Sequence, residues 1–243
     1  MPYGDGSRQS MNWLRLLLAL ALWPGVWATG VSLARLIRAA ASSPSFPWWA
    51  TACFGGGWLV AGLAYLLLPR PRGIYVLGHE LSHALAVWFS GGKVHSLQVA
   101  DKGGRVVSNR TSAWITLAPY ILPLYPLITA VLWLAGLQIW PVLAGYQLAF
   151  LGIWGGVWGY HYAFTVDLLR TQQPDFLVYG RVFSLTVVAL ANLLLAMGLV
   201  WSFFQPVSLV TMMVDLGRDW AWIYMEGIHW LSGLLLRYLP PPA

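Results

Sequence analysis

The chain has 243 residues, of which 58% are apolar and 9% charged, where a soluble domain carries about 25% charged residues. With a mean hydropathy of +0.64 and 16 tryptophans, that composition excludes a water-soluble globule, a disordered chain, collagen and a coiled coil, and points to a polytopic helical membrane protein. The net charge of +6, from 14 Lys and Arg against 8 acids, reads as cytoplasmic loops and contact with anionic headgroups, so no nucleic-acid partner is expected. Cys53 is the single cysteine. It excludes an internal disulfide and a cysteine-based zinc site.

Six hydrophobic segments follow in chain order. The first, Asn12 to Leu33, imitates a signal peptide, but Pro24, its tryptophans and the lack of a small-x-small cleavage site make it a retained helix. The second spans Phe46 to Leu68, between Ser42-Ser43-Pro44 and Pro69-Arg70-Pro71-Arg72. The third, Gly73 to Phe89, is short for a span and carries His79, Glu80, Ser82 and His83; such polarity in lipid needs a reason. Gly91-Gly92 ends it, and residues 93 to 110 read as a β-hairpin with period-2 flanks around Asp101-Lys102-Gly103-Gly104.

The fourth segment, Ser112 to Ala135, carries Pro119, Pro123 and Pro126 and is expected to kink. The kinks fit a bending gate or a packing device. The fifth runs from Ile139 to Phe164, rich in Gly and Trp; a polar bridge, Thr165 to Asp175, leads to the sixth, Leu177 to Phe203. From Val207 to Leu239, polar residues including Ser208, Thr211, Asp215, Arg218, Glu226, His229 and Arg237 recur on one stripe of an amphipathic helix, which reads as interfacial or packed across the bundle in preference to a seventh span. Tryptophans near segment ends (Trp48, Trp49, Trp114, Trp140, Trp201, Trp220 and Trp222) read as an interfacial belt. The expected architecture is an all-α polytopic membrane protein of about six transmembrane helices. Residues 1–206 form the transmembrane domain, with its hairpin at 93–110, and residues 207–243 the amphipathic helix and tail. Counting basic residues in loops puts the hairpin on the cytoplasmic side.

His79-Glu80-Leu81-Ser82-His83 is an HExxH motif on a predicted helix. The i, i+4 spacing sets both imidazoles on one face, one turn apart, so that both reach a single tetrahedral Zn²⁺, with Glu80 about 100° around the helix near the open coordination position. There Glu80 is the general base for a metal-bound water. From the chain's own frequencies, this pattern arises by chance in about one such sequence per thousand. A helix face hydrogen-bonded inside the bundle is the structural alternative. A catalytic zinc needs a third protein ligand. Asp175, after Pro174 at the mouth of the sixth segment, is the first candidate. It also fits as an N-terminal helix acid favoured by the macrodipole. Asp167 and His161 are rivals; Asp167 also fits an i+3 pair with Arg170, and His161 a core or transition-state donor.

Gly78-His79-Glu80-Leu81-Ser82-His83-Ala84, then Gly91-Gly92 and a short hairpin, then an Asp opening a later span, resembles the site-2 protease family of intramembrane zinc metalloproteases, in a compact form without a PDZ domain. The resemblance covers residues 73 to 203. It implies that His79, His83 and Asp175 hold zinc, that Glu80 is the general base, and that the hairpin presents a substrate's transmembrane segment in extended form. Where the family's later motif usually reads Leu-Asp-Gly with Asn and Pro nearby, this chain has Gln173-Pro174-Asp175-Phe176. Two other classes stand beside this reading. Glu226-Gly227-Ile228-His229 and the stretch from Glu80 to His83 are both ExxH motifs, as in a di-iron membrane oxidase; and a non-catalytic scaffold would bind partner helices without cutting them.

Overall fold

The computed structural model describes residues 5–69, 72–100, 103–170 and 173–238. Asp101-Lys102 of the expected hairpin turn, Arg70-Pro71, and Thr171-Gln172 of the expected polar bridge lie outside the described residues. In chain order the elements are α1 (Asp5–Ala41), α2 (Trp48–Leu67), α3 (Arg72–Phe89), β1 (Val94–Ala100), β2 (Gly103–Ser108), α4 (Ala113–Ile121), α5 (Leu124–Ile139), a 3-10 turn (Pro141–Tyr146), α6 (Gln147–Arg170), α7 (Pro174–Val178), α8 (Arg181–Phe204) and α9 (Leu209–Tyr238).

The fold is all-α apart from the hairpin. Among the described residues four helices are long and apolar enough to cross a membrane: Trp13–Ala41 within α1, α2, the stretch Pro141–Leu168, and α8. A fifth candidate is the pair α4 and α5, bent by 66° at its break. Candidate spans therefore number four or five where six were expected, because α3, with its polar residues, is not apolar enough to count. The fourth segment is broken rather than kinked: Pro123 caps α5 in a non-helical conformation and donates no N–H to the preceding turn. Likewise the sixth segment is interrupted at Gly180, whose φ of 88° only glycine adopts easily, so α7 and α8 are separate helices.

The chain divides into two compact units, Pro47–Ser184 and Met1–Phe46 with Leu185–Ala243. In the first, α2 and α6 approach so closely that backbone meets backbone. A Cβ on Gly155 would lie 2.0 Å from the Phe54 carbonyl oxygen, one on Gly159 2.2 Å from that of Trp58, and one on Gly57 1.9 Å from that of Gly152. Small residues at one-turn spacing make this contact possible, as in helix pairs within lipid. Helix α3 stops in a Schellman motif, with Gly92 N–H on the Val87 carbonyl at 2.8 Å, Gly91 N–H on that of Trp88 at 2.9 Å, and Gly91 at φ 68°. The chain then turns straight into β1, which pairs antiparallel with β2 from Val94↔Ser108 to Ala100↔Gly103, with an irregularity between Val94 and Ser96. Val94 packs on a core of Ala86, Val87, Ile115 and Ala118, which fixes the hairpin to α3 and α4.

In the second unit α9 packs along α1. Ser32 donates to Asp219 at 2.6 Å, Arg35 pairs with the same carboxylate, Trp220 Nε1 donates to Thr29 at 3.0 Å, and Tyr224 donates to the Ala21 carbonyl at 2.6 Å. Met212 and Leu216 continue that face against Leu36 and Met197. The polar stripe read from the sequence is exposed, with Asp215, Arg218, Glu226, His229 and Arg237 accessible, although Asp215 lies one turn from Asp219 and shares a cavity with Ser32 and Arg35. Two of the tryptophans assigned to a belt are tied inward instead: Trp220 to α1, filling the notch at Gly25, and Trp201 to the Val207 carbonyl at 3.0 Å.

Candidate metal centre

His79 and His83 sit one turn apart on α3, as the i, i+4 spacing dictates. Asp175 reaches them from α7. His79 Nε2 lies 3.3 Å from Asp175 Oδ2, His83 Nε2 lies 3.6 Å from the same oxygen, and the two Nε2 atoms are 3.3 Å apart. Donor atoms held about 2.0–2.1 Å from a tetrahedral Zn²⁺ stand about 3.3–3.4 Å from one another. The three atoms thus form a triangle of the size one ion requires, and the group can hold a metal ion.

The rings are aimed by their neighbours. Ring Nδ1–H of His83 donates to the Ile115 carbonyl at 2.7 Å, which leaves Nε2 as the lone-pair nitrogen. That carbonyl is free to accept because the residue four positions on, its ordinary helical partner, is Pro119 and has no N–H. Ser112 caps α4 by accepting from Ile115 N–H at 3.2 Å, so the carbonyl is fixed at the start of a well-defined helix. Asp175 is held by Tyr120, whose hydroxyl donates to Oδ2 at 2.8 Å, while the Tyr120 ring packs on Phe176 at 4.5 Å between centroids. Burial pushes the Asp175 carboxyl up, but when the two imidazoles are protonated their hydrogen bonds and positive charge outweigh it and hold the carboxyl well below the usual range.

Glu80 is buried, 7% exposed, against β2: a Cβ on Gly104 would lie 2.3 Å from its Cγ. Glycine at 104 lets the strand lie directly on the carboxylate. Glu80, the two histidines and Asp175 open onto one cavity of about 840 Å³ walled by β2, with Arg105 and Arg110 on its rim.

The rival ligands fall elsewhere. Asp167 accepts from Tyr65 of α2 at 3.2 Å, and His161 is buried on α6 beside Trp158, 5.9 Å between ring centroids. Glu226 and His229 of the second ExxH are exposed on α9. Among the described residues His79, His83 and Asp175 are the group of such side chains close enough together to hold a metal ion. Sequence reasoning missed Tyr120, the Ile115 carbonyl and Gly104. A tyrosine and a proline adjacent in an apolar segment were the available signal for the first two, since a buried hydroxyl needs a partner and a proline leaves a carbonyl without one. No known protein family, curated protein or solved structure matches the chain.

Proposed function

We propose that the chain is a multi-pass integral membrane protein and a zinc-dependent endopeptidase, of the kind its HExxH segment resembles, cutting a peptide bond in or beside a substrate's transmembrane segment. The observation that carries the reading is the triangle of two imidazole nitrogens and one carboxylate oxygen, 3.3–3.6 Å on a side, with the Glu80 carboxylate in the same cavity. His79, His83 and Asp175 would hold the ion. When bound, zinc supplies Lewis acidity, lowering the pKa of a coordinated water toward about 7 and polarising a carbonyl.

The chain's own residues do the rest. Glu80 takes the proton from the attacking water as the new C–O bond forms, and returns it to the amide nitrogen as the C–N bond breaks. Its buried position beside Gly104 keeps that carboxylate out of bulk water. Tyr120 and the Ile115 carbonyl orient Asp175 and His83. A substrate helix satisfies its peptide groups internally, so it must unwind locally before it can be cut. Strand β2 pairs with β1 along one edge and walls the cavity, which suits strand addition by an unwound segment.

The test is the full chain in lipid vesicles with a pool of single-span reporter proteins, assayed for bound metal and for fragments by mass spectrometry. One zinc per chain is expected, and Glu80→Gln should keep the zinc and lose the fragments. Undiminished fragments from Glu80→Gln, or a wild-type chain that binds no zinc, overturns the reading. Zinc binding without cleavage in the wild type favours the scaffold instead.

A further inference from the structure

The two imidazoles of the centre are anchored unequally. His83 has its Nδ1–H on a carbonyl, whereas His79 Nδ1 is buried with no hydrogen-bond partner among the protein atoms. A histidine that turns Nε2 to a cation carries its proton on Nδ1, and ligating histidines almost always donate that proton to something. Left alone, a buried donor of this kind destabilises the fold, and more so where lipid replaces water.

Complementary groups lie on α6. Tyr160 Oη and His161 Nε2 are also buried and also without partners, and His161 as a whole is 6% exposed. His79, Tyr160 and His161 all line a second cavity, of about 20 Å³, together with Gly78, Ser82 and Pro119. Roughly 10–15 Å³ is room for one water, which typically makes about three hydrogen bonds in such a site. One cavity of single-water size thus meets three unsatisfied polar residues.

We propose that this cavity binds one water that accepts from His79 Nδ1–H and from the Tyr160 hydroxyl and donates to His161 Nε2, so that His161 is a positioning residue for the metal ligand His79. Every polar atom of the group is then satisfied: two donors meet the water's lone pairs, and one of its protons meets the remaining acceptor. Helix α6, which carries no metal ligand, thereby aims one. The inference rests on the metal-centre reading, because the tautomer of His79 follows from ligation.

The experiment is zinc affinity of the full chain in detergent micelles, measured by competition with a chromophoric chelator, for the wild type, His161→Phe, His161→Leu, His161→Gln and Tyr160→Phe. Removing a partner of this type typically weakens metal binding 10–100-fold. That loss is expected for His161→Phe, with His161→Leu as the second apolar replacement if the larger ring blocks folding. His161→Gln, whose amide oxygen reaches the same region, should restore most of the affinity, which a purely packing role would not allow. Tyr160→Phe should lose less than His161→Phe. Wild-type affinity in the apolar variants, or equal loss in His161→Gln, overturns the proposal while leaving the metal centre standing. A wild-type chain that binds no zinc instead overturns the centre, and this inference with it.

Discussion

Pro119 does its work through what it lacks. With no N–H at that position, the Ile115 carbonyl turns from the helix ladder to the His83 ring, so a backbone defect in α4 becomes the anchor of a ligand on α3. Pro119→Ala returns a competing donor to that carbonyl and should weaken zinc binding by roughly the 10–100-fold typical of a lost ligand partner, read by chelator competition. Tyr120→Phe removes the donor on Asp175 and should act in the same direction. For the ligand itself, Asp175→Ala should release zinc more readily than Asp167→Ala, because Asp167 is engaged by Tyr65 on α2. Metal content after dialysis checks the order, and the reverse order would move the third ligand.

At the scale of elements, the closest contact is the face of α2 and α6 built from Gly57, Gly152, Gly155 and Gly159. A methyl at 155 meets a carbonyl oxygen at 2.0 Å, so the helices must separate. Forcing extra volume into packed contacts costs about 1–3 kcal/mol. Gly155→Ala is therefore expected to lower the unfolding midpoint, whereas Gly198→Ala, where added volume meets nothing, should not. Because α6 also carries Tyr160 and His161, the same substitution should weaken zinc binding as well. In α9, Asp219 collects Ser32 and Arg35, but Arg35 is largely exposed, and such ion pairs contribute at most about 1 kcal/mol. Asp219→Ala should raise amide exchange along α9 without changing zinc affinity.

Taken whole, the chain keeps the group that could hold a metal ion and the large cavity inside one compact unit, Pro47–Ser184. The ligands come from α3 and α7, far apart in sequence, so an ion bound to the native state ties distant parts of that unit together. Zinc at one hundred times its dissociation constant should add about 2.7 kcal/mol to stability, visible as a higher unfolding midpoint that a chelator reverses. Protons compete with the metal for both imidazoles, so the gain should shrink as pH falls. A midpoint indifferent to zinc at neutral pH would count against the centre.

Much of this was legible in the residues alone. Apolar composition and run lengths fix an all-helical chain with membrane-length segments, because burying backbone in an apolar medium leaves the helix as the default. The period-2 flanks announce the hairpin, although Gly103 and Gly104, read as its turn, pair within β2, and i, i+4 spacing fixes the two histidines on one face, since helix geometry is local. Long-range matters were settled only by the folded chain. Prolines signal a bend but not whether it becomes a break, which depends on what receives the freed carbonyls. Which of Asp175, Asp167 and His161 meets the two histidines depends on the packing of α7 and α6 against α3, and no local pattern encodes a separation of more than ninety residues. The stripe on α9 was visible, but which face α1 covers was decided by Ser32, Thr29 and Gly25 on a helix nearly two hundred residues away.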